Sequence, residues 1–218
     1  GNTMDVSEIS LFKDVDKESI EAIFHCFKPV MRQFKKGDTI TTFLGETAYM
    51  NVLVSGRAHL YCVDSEGEYA FLENYTENDI FSEIFTMPNE ILGYAVEADS
   101  DCEVLFVPLS AIYGRCSKAC RHHTVVTQNL FELSAKKSRA MAVRINIISK
   151  KTVRRKLMTY FEHLRDLSGS QSFSCTMSLT ALAEYLCVDR ANMMRELKEM
   201  QSDGLIMRKG KQITLLGA

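Results

Sequence analysis

The sequence predicts an α+β chain in three parts: a β-rich N-terminal region, a long central helix, and a C-terminal helical unit closed by a hairpin. Three observations carry this. Between Pro29 and Pro108, short runs rich in β-branched and aromatic residues alternate with turn residues, as in an all-β barrel or sandwich. From Leu109 to about Ser149 the apolar spacing becomes helical. From Lys150 onward, two short amphipathic helices precede two strands separated by a basic turn.

Each element follows from its residues. Ser7 to Phe27 reads as short helices, with Ile20, Ile23 and Phe24 at helical spacing. Lys36-Gly37-Asp38 is a turn, Tyr49 to Val54 a strand, and Ser55-Gly56 a second turn. Ala58 to Val63 and Tyr69 to Asn74 flank Asp64-Ser65-Glu66-Gly67-Glu68 and read as a hairpin. Cys102 to Val107 is the last apolar strand. About eight such strands suit a jelly roll, a β-roll of two packed sheets. The expected boundaries are a β-roll over 1–118, the long helix over 119–149 and the C-terminal unit over 150–218.

In the long helix, Val126, Leu130, Leu133, Met141, Ile145 and Ile148 form an apolar stripe interrupted at Lys136, Lys137, Ser138 and Arg139. A helix of about 28 residues is roughly 42 Å long, more than one small domain covers. The stripe is therefore expected to bury itself against a second copy of the chain, giving a homodimer.

Composition narrows the function. With 46% hydrophobic and 25% charged residues, the 218-residue chain has the balance of a globular protein. No apolar run approaches the length of a bilayer span. Gly1-Asn2-Thr3-Met4 does not begin a basic-then-apolar secretion signal. Seven scattered cysteines fit reduced thiols better than a disulfide framework, so a cytoplasmic location is expected. Lys150 to Ala218 carries twelve Lys/Arg against seven Asp/Glu, whereas the rest carries fourteen against twenty-one. A basic C-terminal third on an acidic body suits a polyanion partner. No Gly-Lys-Ser/Thr phosphate loop, His-Glu-x-x-His or Gly-x-Ser-x-Gly occurs, and the β region holds only His59 among its histidines. These residues do not point to an enzyme.

Ser178 to Met200 is the most informative stretch. Leu179, Leu182, Ala183 and Leu186 occupy one face of a two-turn helix, and Cys187-Val188 make the turn. Asp189 is placed to cap a second helix that buries Met193, Leu197 and Met200. The opposite face of that helix carries Arg190, Ala191, Met194 and Arg195 in its first half, the half of a recognition helix that enters the major groove. Arginine's planar fork matches guanine O6 and N7. Thr180, Asn192 and Lys198 lie at the flanks, suited to phosphates. Arg208, Lys209 and Lys211 sit on the tip of a two-stranded wing and offer further, sequence-independent phosphate contacts. The unit therefore reads as a winged helix-turn-helix for double-stranded DNA.

Taken together, Lys36-Gly37-Asp38, Val52-Leu53-Val54-Ser55-Gly56, Cys102-Glu103-Val104-Leu105, and the run from Leu182-Ala183 through Arg190 and Arg195 to Gly204-Leu205-Ile206 resemble the cyclic-AMP receptor protein / fumarate–nitrate regulator (CRP/FNR) family. The resemblance covers nearly the whole chain. It implies a cyclic-nucleotide-binding-like β-roll, a long dimerisation helix and a homodimer on a two-fold operator. It also implies an effector acting across the helix, and RNA polymerase as a partner if the protein activates.

The departures concern the effector. Nucleotide-binding members present Gly-Glu to the ribose and Arg-Ser to the cyclic phosphate; here those positions read Ser82-Glu83, after Phe81, and Leu92-Gly93, before Tyr94. Met141 and Ala142 stand where nucleotide binders offer hydroxyls to the base. Without the arginine, a buried phosphate loses a charge-assisted bond of about 1.5–3 kcal/mol, which argues against cyclic AMP. Cys26 alone near the N-terminus argues against an iron–sulfur cluster. Cys116, Cys120 and His123 would share a helix face and could serve soft metal or haem; the alternative is one buried thiol beside solvated histidines. Ala191 replaces a base-reading Glu of some relatives, and Cys187 stands where a turn Gly is common. The competing reading is a small-molecule or metal/redox sensor with a vestigial DNA-binding end.

Overall fold

The structure is a computed structural model and describes residues 6–42, 49–82, 93–113 and 121–217. The chain divides into two units, residues 1–137 and 138–218.

The first unit begins with two 3-10 turns, Val6–Glu8 and Ser10–Phe12, and helix α1 (Lys17–Phe27). Asp16 caps α1, its carboxylate accepting from the Ser19 backbone N–H and hydroxyl, both at 2.8 Å. These bonds favour the charged form and hold the carboxyl below its ordinary value.

Among the described residues, eight strands follow: β1 (Val30–Phe34), β2 (Thr39–Thr42), β3 (Tyr49–Ser55), β4 (Ala58–Val63), β5 (Tyr69–Tyr75), β6 (Ile80–Phe81), β7 (Tyr94–Ala98) and β8 (Cys102–Pro108). They form two four-stranded sheets, ordered β1-β8-β3-β6 and β2-β7-β4-β5, with antiparallel pairs throughout. This is the jelly-roll plan that the strand spacing predicts. Leu53, Leu60, Phe81, Val96, Val104 and Phe106 form one core cluster. Met50, Val52 and Val54 join a second, with Leu11, Phe12, Ile20, Ile23 and Phe27 of the helical segments. β3 is thus covered on both faces, which is why it reads as an almost continuous apolar run. Gly56 has φ +96°, and a Cβ there would lie 2.4 Å from the Asp101 carbonyl, so only glycine fits the β3–β4 turn.

After the short helix α2 (Leu109–Tyr113), α3 runs from Arg121 to Ile148, 28 residues. Burial divides the stripe expected for this helix. Val126, Leu130 and Leu133 pack on the N-terminal unit's own core. Asn129 beside them donates to the Leu11 and Lys13 carbonyls at 3.0 and 2.7 Å. One turn on, Lys137 donates to the Ile80 carbonyl at 3.0 Å, lies 3.7 Å from Glu73 and stands over the Tyr75 ring. The inward face continues through this lysine, whose apolar stem packs while its ammonium finds acceptors. The exposed apolar residues lie on another face: Phe131 is 74%, Met141 41% and Ile145 63% exposed. Phe131, Ser138 and Ile145 repeat every seven residues, with Ser134, Met141 and Ile148 three positions further on.

In the second unit, Thr152 caps α4 (Val153–Ser168) by accepting from the Arg155 N–H, and Gly169 ends it in the left-handed region. Strand β9 (Ser172–Ser174) leads to α5 (Leu179–Leu186), α6 (Arg190–Ser202), β10 (Ile206–Lys209) and β11 (Gln212–Leu215). The wing sheet has three strands, ordered β10-β11-β9, not the two expected. A three-residue strand with one inward side chain, Phe173 opposite Ile213, has no periodicity to read. Leu157, Phe161, Phe173, Leu182, Leu186, Met193, Leu197 and Met200 form the core of this unit. Among the described residues, no helix is long and apolar enough to cross a membrane.

Candidate nucleic-acid interface

The helix-turn-helix is held at both ends of its first helix. Ser178 caps α5, its hydroxyl accepting from the Ala181 N–H at 3.1 Å. At the other end, the Cys187 N–H donates to the Glu184 carbonyl and the Val188 N–H to the Ala183 carbonyl. This is a Schellman motif with cysteine at the left-handed position, φ 53°. Glycine is the usual residue there; a side chain costs about 1 kcal/mol.

Two cations outside the motif reinforce that end. Arg144 of α3 donates to the Tyr185 carbonyl at 3.0 Å and the Glu184 carbonyl at 3.4 Å, and its guanidinium covers the Tyr185 ring. Lys156 of α4 donates to the Leu186 carbonyl at 3.2 Å. Both bring positive charge to a helix C-terminus, where the dipole and the unpaired carbonyls favour it.

Asp189 caps α6, accepting from the Asn192 N–H at 2.8 Å. Met193, Leu197 and Met200 are buried as the spacing predicts. That orientation leaves Arg190, Ala191, Asn192, Arg195 and Lys198 exposed. Met194 is half-buried against the core, at the border of that face rather than on it. Among the described residues, neither Arg190 nor Arg195 forms an ion pair. The carboxylates of the α6 end are engaged elsewhere: Arg154 of α4 contacts Glu196, meets Asp203 at 2.7 Å and reaches Glu199 at 3.8 Å. Those acceptors raise the guanidinium's pKa. Arg154 thus offsets the acids of α6 and leaves its leading arginines unopposed.

Thr180 is exposed in the first turn of α5. Lys209 and Lys211 are exposed at the β10–β11 tip around Gly210, and Arg208 is half-buried. Under the interface, burial pushes the Tyr160 phenol and the Cys175 thiol up, keeping both neutral.

The β-roll residues have a different setting. Phe81 and Ser82 are buried; Ser82 has φ 71°, a left-handed conformation that favours glycine. Gly93 has φ +89°, and a Cβ there would lie 2.4 Å from the Val63 carbonyl, so this backbone admits no serine. Tyr94 is half-buried at the start of β7, while Met141 and Ala142 are exposed. Glu83, Leu92, Cys116 and Cys120 lie outside the described residues. His123 is engaged structurally: Nε2 is 3.0 Å from the Ala111 carbonyl and its ring packs on Phe27. Among the described residues, no cluster of three or more His, Cys, Asp or Glu could hold a metal.

Sequence reasoning passed over Arg144, Arg154 and Lys156, because isolated cations on helices look like solvated surface. It also passed over Asn51. Asn51 is 1% exposed, and among the described residues both its amide atoms lack a partner, as does the hydroxyl of Ser82. An asparagine inside Met50-Asn51-Val52-Leu53 was the available signal.

Comparisons with known proteins agree with this architecture. A family model described as "Cyclic nucleotide-binding domain" matches residues 31–119. The chain is 24% identical to "Probable transcriptional regulator flp" of Lacticaseibacillus casei, over 96% of this chain and 93% of that protein. It is 22% identical to "Electron transport regulator A" of Shewanella oneidensis, over 91% of this chain and 78% of that protein. Among solved structures, a CooA mutant from Carboxydothermus hydrogenoformans superimposes with a TM-score of 0.72 at 14% identity, covering 100% of this chain and 92% of that one. OCPA-complexed CprK gives 0.71 at 14% identity, covering 92% of each chain.

Proposed function

We propose that this chain, a transcription regulator of the CRP/FNR family, binds an inverted-repeat operator as a homodimer. The observation that carries this reading is α6: an N-capped helix on a well-packed core, whose leading arginines are exposed and free of ion pairs among the described residues. In this reading Arg190 and Arg195 read base edges, with Ala191 beside them and Met194 at the margin. Thr180, Asn192, Lys198, Arg208, Lys209 and Lys211 bind phosphates. The second copy covers the exposed face of α3, with Phe131, Met141, Ile145 and Ile148 as its apolar contacts; the heptad spacing of that face supports this. Val126, Leu130 and Leu133 are then intrachain contacts at the base of the dimer helix.

The effector in this reading is not cyclic AMP. Leu92 replaces the phosphate-binding arginine, and the tight approach of Gly93 to Val63 leaves no room for the partner serine. Millimolar cyclic AMP is expected to leave the melting temperature unchanged. The main test is recovery of genomic fragments by the purified protein at physiological salt, followed by sequencing. Enrichment of one inverted repeat, with half-sites about one helical turn apart, is the expected result. Uniform recovery that vanishes with added salt would overturn the operator reading.

A further inference from the structure

The C-terminal unit holds a cavity of about 270 Å³ between α4, α5 and the wing. Phe161, Leu182, Leu197 and Ile213 line it with apolar surface. Arg208 and Lys211 also line it, and among the described residues neither forms an ion pair. Ser178 and Leu179 bring the N-terminal end of α5, the positive end of its dipole, to the same space. Burial pushes the thiol of the lining residue Cys175 up, opposed by hydrogen bonds with Tyr160 and Met177 and then by the charges of Arg208 and Lys211.

An apolar cavity of about 150 Å³ lined by Leu, Ile and Phe admits benzene, so this one has room for a short flexible chain. Its cations call for an anionic head, because an alkyl body alone would leave them unanswered. We propose that the cavity binds a medium-chain carboxylate, the alkyl tail lying on Phe161, Leu182, Leu197 and Ile213 and the carboxylate meeting Arg208 and Lys211. A consequence that rests on the operator reading follows. The same two cations are assigned to DNA phosphates, so the bound carboxylate competes with the operator and lowers its affinity.

The test is calorimetric titration of the full chain, without DNA, with octanoate, octanol and octylammonium. Saturable binding of one octanoate per chain is expected, with octanol at least tenfold weaker and octylammonium silent. Met177→Trp, at another lining position, is expected to fill the cavity and abolish binding. Arg208→Gln combined with Lys211→Gln is expected to weaken octanoate at least tenfold, and decides the matter if the tryptophan variant does not fold. No saturable binding, equal binding of octanol, or binding unchanged in the charge variant would each overturn the proposal. Octanoate binding that meets these expectations in a protein that enriches no operator would support the cavity and sink the operator reading alone.

Discussion

Among the described residues of the N-terminal unit, the buried side-chain polar groups without partners are the Asn51 amide and the Ser82 hydroxyl, both in the β-roll. In the C-terminal unit, among the described residues, no buried side-chain nitrogen or oxygen lacks a partner, while Arg190 and Arg195 stand exposed and form no ion pair. The difference teaches how each unit is built for its task. A buried amide without a partner costs about 1–3 kcal/mol, so the β-roll carries a stability cost in its interior. An exposed arginine costs the fold little, and the winged unit combines a satisfied core with a surface ready for an external polyanion.

The largest expected effect tests the solidity of the winged unit. Phe161→Ala should destabilise that unit by about 3–5 kcal/mol, seen as a lowered midpoint in denaturant melts. A shift below 1 kcal/mol would mean its core is looser than its burial indicates. Next, Arg190→Ala or Arg195→Ala should each weaken specific operator binding by about 1–3 kcal/mol while leaving the melt unchanged. An unaltered footprint would break the assignment of function to the outside of this unit.

Asn51→Leu sharpens the other side of the comparison. Replacing the unpartnered amide by an apolar side chain of similar size should stabilise the β-roll by about 1–2 kcal/mol. Destabilisation in a thermal melt would show that the amide is paired in solution. The smallest effect concerns Lys209, fully on the rim of the wing. Lys209→Ala should reduce the slope of log affinity against log salt by about one and leave sequence preference intact. A changed operator preference would move Lys209 from phosphate to base.

How much of this was legible in advance depended on local signals. Strand β4 was readable to its ends, because Ala58 to Val63 is bounded by Ser55-Gly56 and by an acidic, glycine-containing turn. The cap residue Asp189 was readable because capping depends on residues three positions apart. The spacing of α3 does not separate two neighbouring faces: Val126, Leu130 and Leu133 pack on the chain's own core, while Phe131 and Ile145 stand exposed beside them. Strand β9 was missed, since three residues hold too little pattern.

By itself, then, the sequence determined the order of elements, the caps, the buried faces of α5 and α6, and which arginines emerge opposite them. All of these follow from periodicity and near-neighbour hydrogen bonding along the chain. Only the tertiary structure decided that Arg144 and Lys156 close the end of α5, that Arg154 gathers the acids of α6, and that Gly93 has no room for a side chain. It also decided that Asn51 is buried with no partner among the described residues. Those outcomes depend on groups about 30 to 50 positions apart in the chain, brought together by packing, and neither spacing nor propensity records such distances.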